Sequence, residues 1–283
     1  MTLDLLPHLL DIVSDPAAAE GLILAGGYGL QLKRRYLADL GADTLVSPVP
    51  DTRATVDLDL VLRLDIFLAE QESAVRRRLD ELGYVPHTPR LQFVKGVADG
   101  GQDRRLKVDL LARLPGDGHE RRIAVREHRV GSGSAANLHG RATPEAFAVE
   151  DSPVELPVSG SCTDGSPFEG VIRVPNAYAW LNMKVAASSD WCREGTDGPR
   201  PRSPKHVRDV YLLVAMLTKD EMALCGDVRK RQHDHPQAAL QRASAVELFG
   251  SPDAPGCAEI RRFAPELDYG QFREALAEVM GLD

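Results

Sequence analysis

An α+β N-terminal half followed by an all-α C-terminal half is the fold class this sequence predicts, and three observations predict it. Short apolar, β-favouring runs alternate with glycine turns and helical stretches through the first part of the chain. A segment rich in Pro, Gly and Ser then carries it to about residue 170. From Asn176 onward the apolar residues recur at helical spacing. The composition shift divides the chain into residues 1–170, a mixed sheet with flanking helices, and residues 171–283, a helical domain. At 283 residues and 43% hydrophobic content, the length suits one large domain or two modest ones.

Each element follows from local pattern. Residues 2–14 place Leu3, Leu6, Leu9, Leu10 and Val13 at helical spacing. Residues 22–25 form a short apolar strand that runs into Gly26 and Gly27, after which Leu30 through Leu40 reads as a helix. A strand over 55–64 carries alternating acids and aliphatics, and a helix from Asp65 to Leu82 ends at Gly83, a good C-cap residue. Strands at 90–97 and 104–113, separated by Asp99, Gly100 and Gly101, read as a hairpin. A strand at 121–126 leads into the loop 131–137, and short strand-like pieces follow at 153–158 and 170–174. Helices are then expected over Ala177–Ser188, His206–Leu217, Lys219–Arg231, Gln237–Leu248 and Tyr269–Met280. By composition, the loops at 131–137 and 194–204 are flexible.

Composition also excludes classes of function. The longest apolar runs, such as 212–217, fall far short of the roughly 20 residues a membrane-crossing helix needs. The N-terminus carries Asp4 where a secretory leader would be basic, so no membrane partner and a cytoplasmic location are expected. Cys162, Cys192, Cys225 and Cys257 have no metal-ligand spacing and read as reduced, structural thiols. A net charge of −8 argues against indiscriminate polyanion binding but leaves room for local basic patches. Such clusters occur at Lys33–Arg35, Arg76–Arg78, Arg104, Arg105 and Lys107, Arg121 and Arg122, and from Arg200 to Lys205. His233 and His235 flank Asp234 in a charged loop beside Pro236, which reads as surface.

The chemistry concentrates on a few carboxylates. In a strand, Asp57 and Asp59 project from one face while Val56, Leu58, Leu60 and Leu62 line the other. Two like charges held that close repel unless a positive group sits between them. The pair therefore either decorates a solvated strand face or holds a hard divalent cation, whose natural cargo is a nucleoside triphosphate. Gly26 and Gly27, between a strand and a helix, stand where backbone N–H groups and the helix dipole can cradle phosphate. Lys107 and Asp109 add a third carboxylate on the polar side of the second hairpin strand, with Val108 and Leu110 turned away. Arg53 and Thr55 offer a guanidinium fork and a hydroxyl at the site's edge, or serve a structural role.

Taken in order, Gly26 and Gly27, then Arg53, Thr55, Asp57 and Asp59, then Lys107 and Asp109 resemble the DNA polymerase β-type nucleotidyltransferase superfamily, and specifically the AbiEii/MenT-like toxins of bacterial toxin–antitoxin systems. The helical half adds two likenesses. The run from Asn176 to Ala187 resembles that family's helix with a functional lysine, here Lys184, and Lys205 through Leu212 resembles its later Lys/Arg-Asp motif, here Arg208 and Asp209. The resemblance covers roughly residues 20–215. In the family a second acid often follows that motif by three residues; here Leu212 occupies the place.

The resemblance implies a nucleotidyltransferase-fold mixed sheet in the N-terminal half and a Mg2+-dependent nucleotidyltransferase activity. Asp57, Asp59 and Asp109 would hold the metal, Lys184 with Gly26 and Gly27 would grip the triphosphate, and Asp109 or Asp209 would be the general base. The implied acceptor is RNA, with the 3′ end of tRNA as the expected target, and the implied partner is a cognate antitoxin. Two other readings stay open: transfer to a cationic aminoglycoside-type antibiotic, which the acidic net charge would suit, and a non-catalytic nucleotide-binding or interaction module. RNA recognition usually needs exposed stacking groups. At 5% aromatics, Trp180, Tyr28 and Tyr36 are the candidates.

Overall fold

The computed structural model describes residues 4–68, 73–87, 91–99, 102–116, 120, 122–131, 138–194 and 203–282. It is a mixed α/β structure, with a mixed sheet and ten α-helices among the described residues. Two compact units form, each from separated segments: Met1–Lys33, Arg53–Pro144 and Pro153–Val174 in the first, Arg34–Thr52, Glu145–Ser152 and Pro175–Asp283 in the second.

The first unit opens with α1 (Leu6–Val13) and α2 (Pro16–Glu20), each with Pro in its first turn, where the missing N–H costs nothing. Asp15 caps α2, accepting from Ala17 N at 2.9 Å. Then come β1 (Leu22–Leu24), the start of α3 (Gly26–Asp39), β2 (Asp57–Leu62) and α4 (Ala74–Glu81). They are followed by β3 (Val85–His87), β4 (Gln92–Asp99), β5 (Gln102–Ala112), β6 (Ala124–Arg126), β7 (Arg129–Gly131) and β8 (His139–Ala142). The sheet runs β1-β2-β5-β8-β7-β6, with β4 also paired to β5 and β3 to β4. β2 and β8 are parallel to β5, while β1–β2, β4–β5 and β7–β8 are antiparallel. A separate antiparallel hairpin joins β9 (Val154–Ser161) to β10 (Pro167–Val174).

Alternation along β2 and β5 explains the sheet's two faces. Leu58, Leu60, Leu106, Val108 and Leu110 are at most 1% exposed and form the core face. The half-buried Asp57, Asp59, Lys107 and Asp109 take the other. Asp11 ties α1 to the hairpin, accepting from Thr163 N at 2.9 Å and Thr163 Oγ1 at 2.6 Å.

In the second unit, α5 (Ala177–Glu194), α6 (Lys205–Ala215), α7 (Lys219–Arg231), α8 (Pro236–Phe249), α9 (Pro255–Phe263) and α10 (Tyr269–Met280) follow one another. Asn176 caps α5, accepting from Ala179 N at 2.9 Å, and Asp268 caps α10, accepting from Gln271 N at 3.0 Å. Tyr178, Trp180, Leu212, Leu213, Phe249 and Leu276 are buried at 1% exposure or less and form its core.

Several expectations need correction. The stretch 65–82 is not one helix: a 3-10 turn covers Leu64–Leu68 and α4 starts after Ser73, whose extended backbone (φ −62°, ψ 130°) is that of an N-cap. Val56 lies outside β2 and is 44% exposed, so the core-facing row begins at Leu58. α3 starts at Gly26 itself, and α9, which opens with Pro255 and Gly256, was not anticipated. The hairpin turn at 100–101 and most of the loops at 131–137 and 194–204 lie outside the described residues. Among the described residues, no helix is long and apolar enough to cross a membrane.

Candidate active site

The glycine turn is fixed from behind by the strand that carries the acids. Gly26 adopts φ +66°, a left-handed conformation that favours glycine, and a Cβ there would run into Asp59 Oδ2. A Cβ on Gly27 would sit 3.0 Å from Arg53 Nη2 and 3.4 Å from Thr55 Cβ. Ala25 N donates to Asp59 O at 2.8 Å and Gln31 Nε2 donates to Arg53 O at 2.7 Å, so the turn and the first turns of α3 are tied to 53–59. Gly26, Gly27, Arg53, Thr55 and Asp59 are therefore brought together, next to the N-terminus of α3.

Strand register adds the other acids. β2 and β5 pair in parallel with Asp57 opposite Lys107 and Asp59 opposite Asp109, and partners in such a ladder share a face. Asp57, Asp59 and Asp109 thus stand on one side of the sheet, beside Lys107. Across the antiparallel β4–β5 ladder, Gln92 faces Asp109. Arg141 of β8 brings Nη2 to 3.9 Å from Asp109 Oδ1. Burial pushes the Asp109 carboxyl above its ordinary pKa, against the Gln92 hydrogen bond and the Arg141 charge, and the nearby Asp57 charge pushes the same way as burial.

Asp57 Oδ1 and Asp109 Oδ1 are buried and accept no hydrogen bond. Orphaned carboxylate oxygens on one face are donors that fit a hard cation. Among the described residues, no group of three or more His, Cys, Asp or Glu side chains is arranged to hold a metal ion by itself.

Lys184 and Asp209 lie in the second unit, on α5 and α6. Lys184 Nζ donates to Asp209 Oδ2 at 2.8 Å. Ser188 Oγ donates to Lys184 O at 2.7 Å one turn along α5. His206, one turn before Asp209, brings Nδ1 to 3.6 Å from the same Oδ2. Burial lowers the His206 pKa to about 4, reinforced by the positive charges of Lys184 and Lys205 and opposed by Asp209, so the ring is neutral at pH 7. Leu212 is 1% exposed and part of the core.

Two groups near these acids escaped sequence reasoning. Arg141 was not legible because its partner Asp109 is reached only through the β5–β8 pairing. His206 did carry a signal, its helical i,i+3 spacing from Asp209. Of the aromatic candidates, Trp180 (0% exposed) and Tyr28 (7%) are core residues, which leaves Tyr36 half-buried. His235 caps α8, accepting from Gln237 N at 3.2 Å, and stacks on Phe147 with ring centroids 4.4 Å apart. His233 is exposed and contacts Asp234. Compared with protein-family models and with curated proteins, the chain matches none of them.

Proposed function

We propose that this chain is a Mg2+-dependent nucleotidyltransferase with a polymerase β-type nucleotidyltransferase sheet followed by a helical half, acting as an AbiEii/MenT-like toxin that transfers nucleotides to an RNA acceptor such as the 3′ end of tRNA. The observation that carries the reading is the β2–β5 register: it sets three carboxylates on one face, beside a glycine turn whose Gly26 packs against Asp59. Each of these features occurs alone on ordinary sheets. Their coincidence, with two orphaned oxygens, is what a structural role leaves unexplained.

Asp57, Asp59 and Asp109 would hold the cation, which when bound neutralises the triphosphate and the pyrophosphate that leaves. The chain's own groups do the rest. The N–H groups that open α3 at Gly26 and Gly27 would face an anion with the positive end of the helix dipole. Arg53, at the back of that turn, supplies a fork for phosphate oxygens. The 3′-hydroxyl of the acceptor attacks the α-phosphorus, the bond to the pyrophosphate oxygen breaks, and the hydroxyl proton goes to a carboxylate. Asp109, whose buried Oδ1 accepts no hydrogen bond, suits that proton better than Asp209, whose Oδ2 already accepts from Lys184. In the second unit Asp209 instead fixes the orientation of Lys184, the lysine that the resemblance assigns to the triphosphate.

The test is to incubate the purified protein with Mg2+, each labelled nucleoside triphosphate, and either bulk tRNA or an aminoglycoside panel, alongside Asp57→Ala and Lys184→Ala. Label on tRNA that both substitutions abolish is the expected result. Label on the drug alone would replace the acceptor, and nucleotide binding without any transfer would reduce the protein to a binding module. Induced expression should slow growth until a cognate antitoxin is supplied, and unaffected growth would remove the toxin assignment.

A further inference from the structure

The carboxylate face carries a second pattern that the acids do not use. In β5, Arg105 and Lys107 share the parity of Asp109 and so point to its side of the sheet. β8 pairs with β5 through Leu111 and Arg141, β7 with β8 through Arg129 and Arg141, and β6 with β7 through Arg126 and Arg129, so each Arg stands on that same side. The approach of Arg141 to Asp109 agrees with this parity, as does the burial of Leu106, Val108 and Val130 on the opposite side, all 0% exposed. Arg141, Arg129 and Arg126 therefore form a row of cations that crosses the sheet in register with Leu111 of β5, while Lys107 and Arg105 continue the same face along β5 on the other side of Asp109.

Apart from Arg141, which approaches Asp109, these cations are not consumed by the fold. Among the described residues, Arg105, Lys107, Arg126 and Arg129 form no hydrogen bond or ion pair through their side chains; Arg105 and Arg126 are exposed, and Lys107 and Arg129 half-exposed. Glu127, in the β6–β7 turn, is an acid at the far end. From Arg141 to Arg126, two inter-strand steps of roughly 4.8 Å span about 10 Å, the length of about three phosphates of one strand at duplex spacing. In a chain of net charge −8, five cations on one sheet face are a local feature that repels a polycationic drug and attracts a polyanion.

From this we infer that the row is the track for the acceptor's phosphodiester backbone, entering over β6 and β7 and reaching the carboxylates at β5. The inference rests on the nucleotidyltransferase reading for its direction, but the binding surface can be tested apart from it. Recognition along the row is electrostatic and independent of sequence, since guanidinium groups on a sheet face meet phosphates rather than base edges.

The experiment titrates fluorescein-labelled bulk tRNA with the full-length protein over a salt series, following anisotropy. Arg126→Gln with Arg129→Gln should weaken binding about tenfold and flatten the salt slope by about one for each phosphate left without its cation. The charge-keeping pair, Arg126→Lys with Arg129→Lys, should stay near wild type, as should Lys219→Gln on the exposed surface of the second unit. Arg105→Gln provides an independent single substitution, and thermal unfolding confirms that each variant is folded. Unchanged affinity and slope in the Gln variants overturn the track, even if wild type transfers label normally. Loss of binding in those variants upholds it, even if wild type transfers nothing and the enzyme reading falls. Tighter binding of single-stranded DNA of matched length than of tRNA would overturn RNA as the occupant.

Discussion

Lys184 Nζ and Asp209 Oδ2 are 2.8 Å apart, with side chains only 7% and 1% exposed. A buried pair of this kind adds little over apolar residues of the same shape, yet is expensive to break, because one partner's removal strands the other's charge. Its place where α5 packs on α6, beside the neutral His206, therefore points to a positional task for the lysine.

Lys184→Met should destabilise the protein by about 3–5 kcal/mol, and Asp209→Leu by a similar amount, while the double variant should recover most of that loss. Urea unfolding of the four proteins measures it. Additive losses in the double variant would mean that the two side chains act independently.

His206 makes stability depend on pH. Its pKa is about 4 in the fold and 6.5 as an ordinary histidine, so the unfolded chain binds the proton first. Its contribution is fully present above pH 6.5 and is lost as pH falls towards 4. His206→Gln should flatten that loss by on the order of 1–3 kcal/mol relative to wild type. Urea midpoints across this window check the sign, and parallel pH profiles for the two proteins would refute it.

Gly26 and Gly41 separate two costs. Both hold positive φ, +66° and +60°, but a Cβ on Gly41 meets nothing within 4 Å whereas one on Gly26 strikes Asp59. Gly41→Ala should cost about 1–2 kcal/mol from backbone strain alone. Gly26→Ala should cost more and also displace the Asp59 carboxylate. Equal unfolding midpoints for the two variants would show that the turn and the strand are not packed as described.

Legibility in the sequence followed the range of the interaction. β2 was readable because acids and leucines alternate along it, and α7 and α10 because their apolar residues recur at helical spacing. The 65–82 stretch misled because its apolar spacing continues through Ser73, where the backbone turns extended. β7 and β8 are three and four residues long and contain Gly and Arg, so no alternation marks them. Parity within β2 set Asp57 beside Asp59, and parity within β5 set Asp109 on the polar side of its own strand, whereas the register that brings all three to one face is a long-range fact. Likewise, residues 34–52 belong with the second unit, where Leu45 N donates to Leu217 O and Val46 N to Ala215 O, and nothing in composition marks it.

The carboxylate face predicts a metal-dependent stability that needs no turnover to be seen. Asp109 has a raised pKa, so its charged form is disfavoured in the fold: stability present at low pH is lost as pH rises from the ordinary carboxylate range through the raised value. At neutral pH without metal, Asp109→Asn should therefore leave the protein as stable as wild type or more so. Mg2+ should reverse the order. A cation that binds only the folded chain stabilises wild type by about 2.7 kcal/mol at a hundredfold excess over Kd, and neither Asp109→Asn nor Asp57→Asn should gain as much. Thermal unfolding with and without MgCl2 reads both effects at once. If Mg2+ shifts wild type and Asp57→Asn equally, the face holds no metal, and its orphaned oxygens need another explanation.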